Sequence, residues 1–487
     1  MMDNNNSRSI IKRSYVCPDS GLVIHFMLPR DTLTQINPAM RNYMKKHRLR
    51  SALVSGICLM AASLSVAETL NLQRTYELAL QNDPQWAAVK DQYSANQQVI
   101  DQGRSTILPQ ITLRGNVAKN EVEYDGFGDD KFDSKGYSAE IVQPLFRLNN
   151  WHTFKRSEAL NSQFDADYHN DTQDFYLRVV TSYLEVLRSN ANMEYRKAEQ
   201  EAISRQLEQS KQRFDVGLVA ITDVHEAQAA YDTAVSERIS AETEQFVALR
   251  LLETITGATV DDVVDLKEDL PILPPDPIDI NQWLTISMEH NAALQSAIFA
   301  AKAAEQDYKA KRGDHAPTVD LVGAHAYDSS DSRSLVTSTT NPDTTTNRIA
   351  IQVELPLYSG GNTSANRRQS KYQFLASQDV ERLRRREVIQ DTTNFYQLVI
   401  ANVAQVNARK QSSLSAKVAL DATQAGYEAG TRTIVDVLNV QRNLFQNERD
   451  YANSRFDYIL NGLRLKRVAG MLTEQEVLAL QQWMKNS

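Results

Sequence analysis

The chain has 487 residues, with 53 lysines and arginines, 61 aspartates and glutamates, 17 glycines and 13 prolines. The acidic balance argues against a nucleic-acid partner, which needs a basic face. The length allows two or three ordinary domains, and the scarcity of helix breakers permits long helices.

Residues 40–50 (MRNYMKKHRLR) are basic, 51–65 (SALVSGICLMAASLS) are apolar, and Ser65 and Ala67 are small. That order is an export signal, so 40–67 is assigned as a signal peptide cleaved after Ala67. Its apolar run is short for a membrane span. Residues 1–39 then form an upstream extension outside the fold, with Met40 or Met44 as the start; the alternative is a genuine long leader. Both cysteines, Cys17 and Cys58, fall in the removed part, so the exported chain is expected to hold no disulfide. Ile57 stands where a lipid-attachment motif wants a small residue, which speaks against acylation of Cys58. From residue 68 onward 44 basic and 58 acidic side chains leave a net charge of −14. No later segment reaches the length of a membrane helix, which leaves the periplasm, the medium or an outer-membrane β-barrel.

The remainder is written twice. FDVGLVAITDVHEAQ (214–228) is echoed by YEAGTRTIVDVLNVQ (427–441), which aligns Gly217 with Gly430, Asp223 with Asp436 and Gln228 with Gln441. Upstream, Pro109 aligns with Pro317 and Gly115 with Gly323. Units of this size are too long for a solenoid repeat and indicate duplication of a whole architecture. The first repeat is placed at 68–268, with helices 71–105, 150–216 and 222–256 and strands 109–119 and 136–146. A proline-rich linker (DLPILPPDPIDI, 269–280) precedes the second repeat at 281–470. That repeat has helices 282–312, 362–428 and 434–469 and strands 317–327 and 347–357. Residues 471–487 form a C-terminal segment.

The helices follow from what is missing. No glycine occurs at 137–216 or 362–425, and no proline between Pro144 and Pro271 or after Pro356. Proline costs a helix interior about 3 kcal/mol and glycine about 1. Helices 150–216 and 362–428 would each reach ~100 Å at ~1.5 Å per residue. After each glycine turn, apolar and small residues recur at spacings of three and four (Val224, Ala227, Tyr231, Ala234; Val437, Val440, Leu444, Tyr451). This is the seam of an antiparallel coiled coil closed by an αα-hairpin, or else the core of an ordinary bundle.

The strands follow from alternation. Ile349, Ile351, Val353 and Leu355 face one way while Arg348, Ala350, Gln352 and Glu354 face the other. Strands of this length with one apolar face suit an outer-membrane barrel. The connectors EYDGFGDDKFDSK (123–135) and YDSSDSRSLVTSTTNPDTTTN (327–347) are polar and suited to outside loops. Four strands cannot close a barrel, and open edges are not tolerated in lipid. Two copies would supply eight strands and a filled interior; three would supply twelve and a conduit, so three are favoured.

The stretches AGYEAGTRTIVDVL (425–438), RFDVGLVAITDV (213–224), LPLYSGGNTSANRRQ (355–369) and LTEQEVLAL (472–480) closely resemble the outer-membrane efflux protein (outer membrane factor) family. The resemblance covers essentially the whole chain after the leader. It implies a mainly α homotrimer with a 12-stranded outer-membrane β-barrel, continued into the periplasm by an α-helical barrel. The linker 269–280 and the tail 471–487 would lie around its equator. The implied function is a passive exit duct serving an inner-membrane RND, ABC or MFS pump through a periplasmic adaptor (membrane fusion) protein. Cargo would range over drugs, dyes, bile salts and secreted proteins. The alternative is a periplasm-spanning coiled-coil tether without a pore.

The resemblance also places both glycine turns at the periplasmic tip. It implies that Thr222, Asp223, Tyr427 and Arg432 hold the tip closed through hydrogen bonds and ion pairs. Gln206 matches a further linking position, but its family partner is acidic where this chain has Gln424. Asp436 would line the pore constriction as a ring of three carboxylates, favouring cations, with crowding raising its pKa. Where the family usually carries a second aspartate, this chain has Asn439. The simpler account of Asp223 and Asp436 is helix capping, and Thr433 with Asp436 fits a capping box. The turns Gly217, Leu218, Val219 and Gly430, Thr431, Arg432 are expected to meet the adaptor, or else to be merely solvated.

No GxGxxG, P-loop or GxSxG motif occurs, and HEAQ (225–228) lacks the second histidine of a zinc protease. The acidic DGFGDDKFD (125–133) fits no calcium loop. The basic RLRRRE (382–387) is most simply an exposed helix face. No cofactor, metal or catalytic residue is expected.

Overall fold

The structure is a computed structural model describing residues 13–16, 23–26, 70–124, 128–267, 269–331 and 343–485. The stretch 40–67, read from the sequence as a signal peptide, lies outside the described residues. The chain divides into a unit Met1–Val66 and a unit Ala67–Ser487. In the first, β1 (Arg13–Val16) and β2 (Val23–Phe26) pair antiparallel.

The second unit carries the architecture in two rounds. The first runs α1 (Leu72–Asn82), α2 (Pro84–Asn96), α3 (Val99–Ser105), β3 (Gln110–Tyr124), β4 (Gly128–Phe146), α4 (Leu148–Asp215) and α5 (Ile221–Thr256). The second runs α6 (Ile280–His290), α7 (Ala292–Gly313), β5 (Thr318–Ser330), β6 (Thr344–Glu354), α8 (Asn362–Glu428) and α9 (Ile434–Val468). A short α10 (Glu474–Ala479) and a 3₁₀ turn (Leu480–Trp483) close the described chain.

The expected helix 71–105 is broken. Pro84 cannot donate to the ladder and bars the residue before it from helical geometry. Asp83 is accordingly extended and caps α2, accepting from the Gln85 amide at 2.9 Å. The expected helix 282–312 is broken at the equivalent Asn291, where no proline compels it. There the Asn291 side chain accepts from the Leu294 amide at 2.8 Å and donates to the Val468 carbonyl at 2.8 Å. The break is thus fixed by a contact with the end of α9. Strand β6 ends at Glu354, short of the expected 357, because Pro356 has no amide to pair.

The four strands form one antiparallel sheet in the order β3-β4-β5-β6, so the two repeats meet at β4–β5. The register aligns Ile111, Ile141, Gly323 and Ile349 in one row and Thr112, Glu140, Ala324 and Arg348 in the next. One face is therefore apolar and the other polar. On the apolar face Val117 and Ile349 are each 87% exposed. Tyr137 and Tyr327 stack at 5.7 Å at one end of this band, and Phe146 and Tyr358 are exposed at the other. Nine residues separate Tyr137 from Phe146. At ~3.3 Å per residue and a tilt near 40° that spans roughly 23 Å, the height of a lipid-facing band.

The hairpin β3–β4 runs on past the band to Tyr124 and Gly128, through most of the connector read as a loop. Cross-strand charges compensate the polar sequence: Lys119 faces Asp133, and Lys131 pairs with Glu121 at 2.5 Å. Residues 125–127 and 332–342 lie outside the described residues.

Below the sheet, α4 spans 68 residues and α8 spans 67, about 100 Å each at ~1.5 Å per residue. Neither has one partner along its whole length. Near the sheet α4 packs on α7, through His152 with Gln306 at 3.0 Å and Arg156 with Asp307 at 3.6 Å. Farther down it packs on α5, where Arg196 joins Glu237 at 2.5 Å and Asn192 donates to Glu244 at 3.0 Å. The largest apolar core lies between these regions. Trp86 stacks on Phe175 at 4.7 Å, and Val179, Tyr183, Leu252, Phe456 and Leu463 pack with them. The Tyr183 hydroxyl donates to the Val264 carbonyl at 2.6 Å. The tail joins this core through Lys485, whose amide donates to the Asp265 carbonyl at 2.7 Å.

Gly257 and Gly470 end α5 and α9 in the left-handed conformation (φ 65° and 71°). A Cβ on Gly470 would lie 2.1 Å from the His290 carbonyl oxygen, whereas one on Gly217 (φ 75°) meets nothing within 4 Å. Gly217→Ala should therefore cost only the left-handed penalty, about 1–2 kcal/mol. Gly470→Ala should in addition part α6 from α9 and lower the thermal midpoint of the folded protein further, as followed by circular dichroism. Equal midpoints for the two variants would contradict this packing.

Candidate functional site

The tip is built from two turns of similar backbone. After α4, Gly217 is left-handed and the Leu218 amide donates to the Arg213 carbonyl at 2.8 Å. After α8, Gly430 is left-handed (φ 73°) and the Thr431 amide donates to the Gly426 carbonyl at 2.9 Å. Such closures satisfy the last carbonyls of a helix and reverse the chain tightly. Leu218, Thr431 and Arg432 are exposed and Val219 is half-buried.

The following helices begin differently. In the second turn Thr433 caps α9. The Asp436 amide donates to Thr433 Oγ1 at 3.3 Å, and the Thr433 amide and hydroxyl donate to Asp436 Oδ2 at 2.9 Å each. The capping box is complete. In the first turn the N-cap is Ala220, which has no side chain to accept. Asp223 is left with one long contact, from the Thr222 hydroxyl at 3.4 Å. One repeated aspartate is thus committed to its own helix and the other is free for an outside partner.

This bears on the carboxylate expected at the constriction. Hydrogen bonds from the Thr433 amide and hydroxyl, with Arg432 nearby, hold the Asp436 carboxyl below the usual carboxylate range. Within one chain the shift runs opposite to the rise expected from crowding. Asn439 is exposed one turn on from Asp436.

Tyr427 is 6% exposed, inside a small apolar cluster with Ile203, Leu207, Ala227, Ile434 and Val437. The Arg213 guanidinium lies 4.6 Å from its ring centre, a cation–π contact between the two hairpins. Its hydroxyl has no partner, and neither has the buried amide nitrogen of Gln206. Among the described residues no hydrogen bond or ion pair joins Thr222 or Asp223 to Tyr427 or Arg432. Gln424 is exposed.

Sequence reasoning missed Arg213 and the buried Glu199. Glu199 pairs with Arg196 at 2.8 Å, and the same arginine joins α4 to α5 through Glu237. The signal for Arg213 was present in the repeat alignment, which sets Arg213 and Phe214 against Gly426 and Tyr427. The side chain that covers Tyr427 has no counterpart in the second copy.

Among the described residues no helix is long and apolar enough to cross a membrane. No group of histidine, cysteine or acidic residues among them is placed to hold a metal.

The family model described as outer membrane efflux protein matches residues 75–258 and 283–471, one stretch in each repeat. Outer membrane protein TolC of Vibrio cholerae is 32% identical over 416 residues, covering 85% of this chain and 94% of that protein. The alkaline protease secretion protein AprF of Pseudomonas aeruginosa is 27% identical over 420 residues, covering 84% of this chain and 86% of that protein. The solved structure of the outer-membrane channel OprN shares the fold, with a TM-score of 0.70 at 17% identity over 82% of this chain and 90% of that one. With both repeats matched and the helical hairpins and four-stranded sheet in place, the chain belongs to the outer membrane efflux protein family.

Proposed function

We propose that three copies of this chain close one tube, whose β-barrel crosses the outer membrane and whose helices reach into the periplasm. It is an exit duct for efflux and secretion. The observation that carries this reading is the sheet: one face apolar at membrane height, and both edges, β3 and β6, without a strand partner among the described residues. Lipid offers no partners for edge amides and carbonyls, so the edges must pair with those of other copies. A pore-less tether would have no use for such a face. The folded protein reconstituted into a planar bilayer should conduct as a trimer; a folded monomer that forms no conducting pore would overturn the reading.

The duct works with a periplasmic adaptor, for which the exposed turns Gly217–Val219 and Gly430–Arg432 are available, and with an inner-membrane pump of the RND, ABC or MFS class. Drugs, dyes, bile salts and secreted proteins are the proposed cargo. The duct does no chemistry of its own; its control is the tip. Asp223, freed from capping, is suited to reach Tyr427 or Arg432 when three tips converge. Charge-assisted bonds of about 1.5–3 kcal/mol, repeated by symmetry, would hold the closed state. Three Asp436 carboxylates line the constriction with Asn439 above them.

Tyr427→Phe combined with Arg432→Ser should leave trimers intact and raise single-channel conductance several-fold; unchanged conductance would remove these residues from the gate. Asn439→Asp adds a second charged ring and should strengthen block by multivalent cations, measured as a lower half-blocking concentration. The block needs ionised Asp436, whose cap keeps it charged below the usual range and releases it only as pH falls through its lowered pKa. Thr433→Ala removes the cap, so loss of block on acidification should move to higher pH. An unmoved titration would show that the cap does not set the charge.

A further inference from the structure

The repeated motif ends on a glutamine in both copies, and the two copies differ in a way the gate does not yet explain. Gln228 is half-buried and donates to Asp232 of its own helix at 2.9 Å. Gln441 is also half-buried, seven residues on from the buried Ile434, but its carbonyl oxygen is enclosed without a partner. Helix α4, which packs against α9, carries two more buried polar groups without partners, the Gln206 amide nitrogen and the Ser210 hydroxyl, with Ser210 fully buried. Their heights agree. Counted from the tip at ~1.5 Å per residue, Ser210 stands ~8 Å up α4, Gln206 ~14 Å, and Gln441 ~10 Å up α9. Gln206 also shares its edge of α4 with Arg213, seven residues on, which covers Tyr427 of the second hairpin. In height along the two packed helices, two donors thus bracket one acceptor, and none is bonded.

The rest of this seam is sparsely tied. Each hairpin is laced internally, by Arg196 with Glu237 in the first and Arg409 with Asp450 in the second. Between α4 and α9 the ion pairs Arg467–Asp174 and Arg188–Asp457 lie at the end near the large core. Nearer the tip, among the described residues, only the apolar cluster and the Arg213–Tyr427 contact join the hairpins.

Resting on the gated-duct reading, we propose that Gln206, Ser210 and Gln441 are positioning residues that give the second hairpin two discrete resting heights. At the height described, all three groups are unsatisfied. A shift of α9 along α4 by a few ångströms pairs the Gln441 carbonyl with the Gln206 amide or the Ser210 hydroxyl. Unpaired buried polar groups disfavour the first height and the new hydrogen bond favours the second. The seam therefore biases the tip toward release, against the links that hold it closed. Gln228, already bonded to Asp232 on its own helix, gives the first hairpin no such alternative.

The test uses the full trimer. Both native cysteines, Cys17 and Cys58, lie outside the described fold; with them removed, spin labels on cysteines introduced at Leu218 and Thr431 report the distance between hairpins in spin-diluted trimers. The parent should give two distance populations. Gln441→Leu, and independently Ser210→Ala with Gln206→Leu, should collapse them to one, while Gln228→Leu leaves both. In the Tyr427→Phe, Arg432→Ser background, adding Gln441→Leu should cancel at least half of the conductance gain. A distance distribution unchanged by Gln441→Leu overturns the inference. If the distribution collapses but the Tyr427→Phe, Arg432→Ser pair never raises conductance, the two heights stand and the gate reading fails.

Discussion

The structure depends on a sheet that cannot be finished by one chain. Its four strands satisfy one another's backbone groups in the middle and leave β3 and β6 open at the sides. In water such edges would be a liability; in a bilayer they are forbidden unless another copy completes them. The sheet must therefore be completed by symmetry. Strand β4 runs into α4 with only Arg147 between, and Arg147 bonds the buried Asp320 of β5 at 2.8 and 2.5 Å. Whatever tilt the closed barrel gives its strands is handed to the long helices through this junction.

Duplication provides the scaffold, and the two copies diverge most plainly at the tips. Asp83 and Asn291 break equivalent helices, and Asn82 and Asn291 each donate to the last carbonyls of the next long hairpin, at Thr256 and Val468. These shared devices fix the region of the large core. The tips have drifted apart instead. Ala220 stands where Thr433 caps, Phe214 lies exposed where Tyr427 is buried, and Gln228 is bonded to Asp232 where the Gln441 carbonyl has no partner. The buried polar groups left without partners near the tip are shared between the hairpins, Gln206 and Ser210 on α4 and Tyr427 and Gln441 on the second.

Much of the fold was legible because it is periodic. Stretches free of glycine and proline marked α4 and α8, and the alternation at Ile349, Ile351 and Val353 marked an edge strand with one apolar face. The places where reading failed are those where the deciding partner is distant in sequence. Asn291 breaks a helix because it reaches Val468, 177 residues away. The polar strands past Val117 persist because Lys119 meets Asp133 and Glu121 meets Lys131 across the hairpin. At the tip, the turn glycines and the capping box of Thr433 were visible in a dozen residues. The burial of Gln206 and Ser210, and of the Gln441 carbonyl oxygen, was not, since it arises only when the helices are packed together.

The extension of β3 and β4 beyond the apolar band has its own consequence. From Tyr137 up to Gly128 the strand continues for nine residues, roughly another 23 Å at the same tilt. The hairpin thus stands clear of the lipid-facing band by about the band's own height, so what it presents there is a paired, charge-compensated ribbon of fixed register.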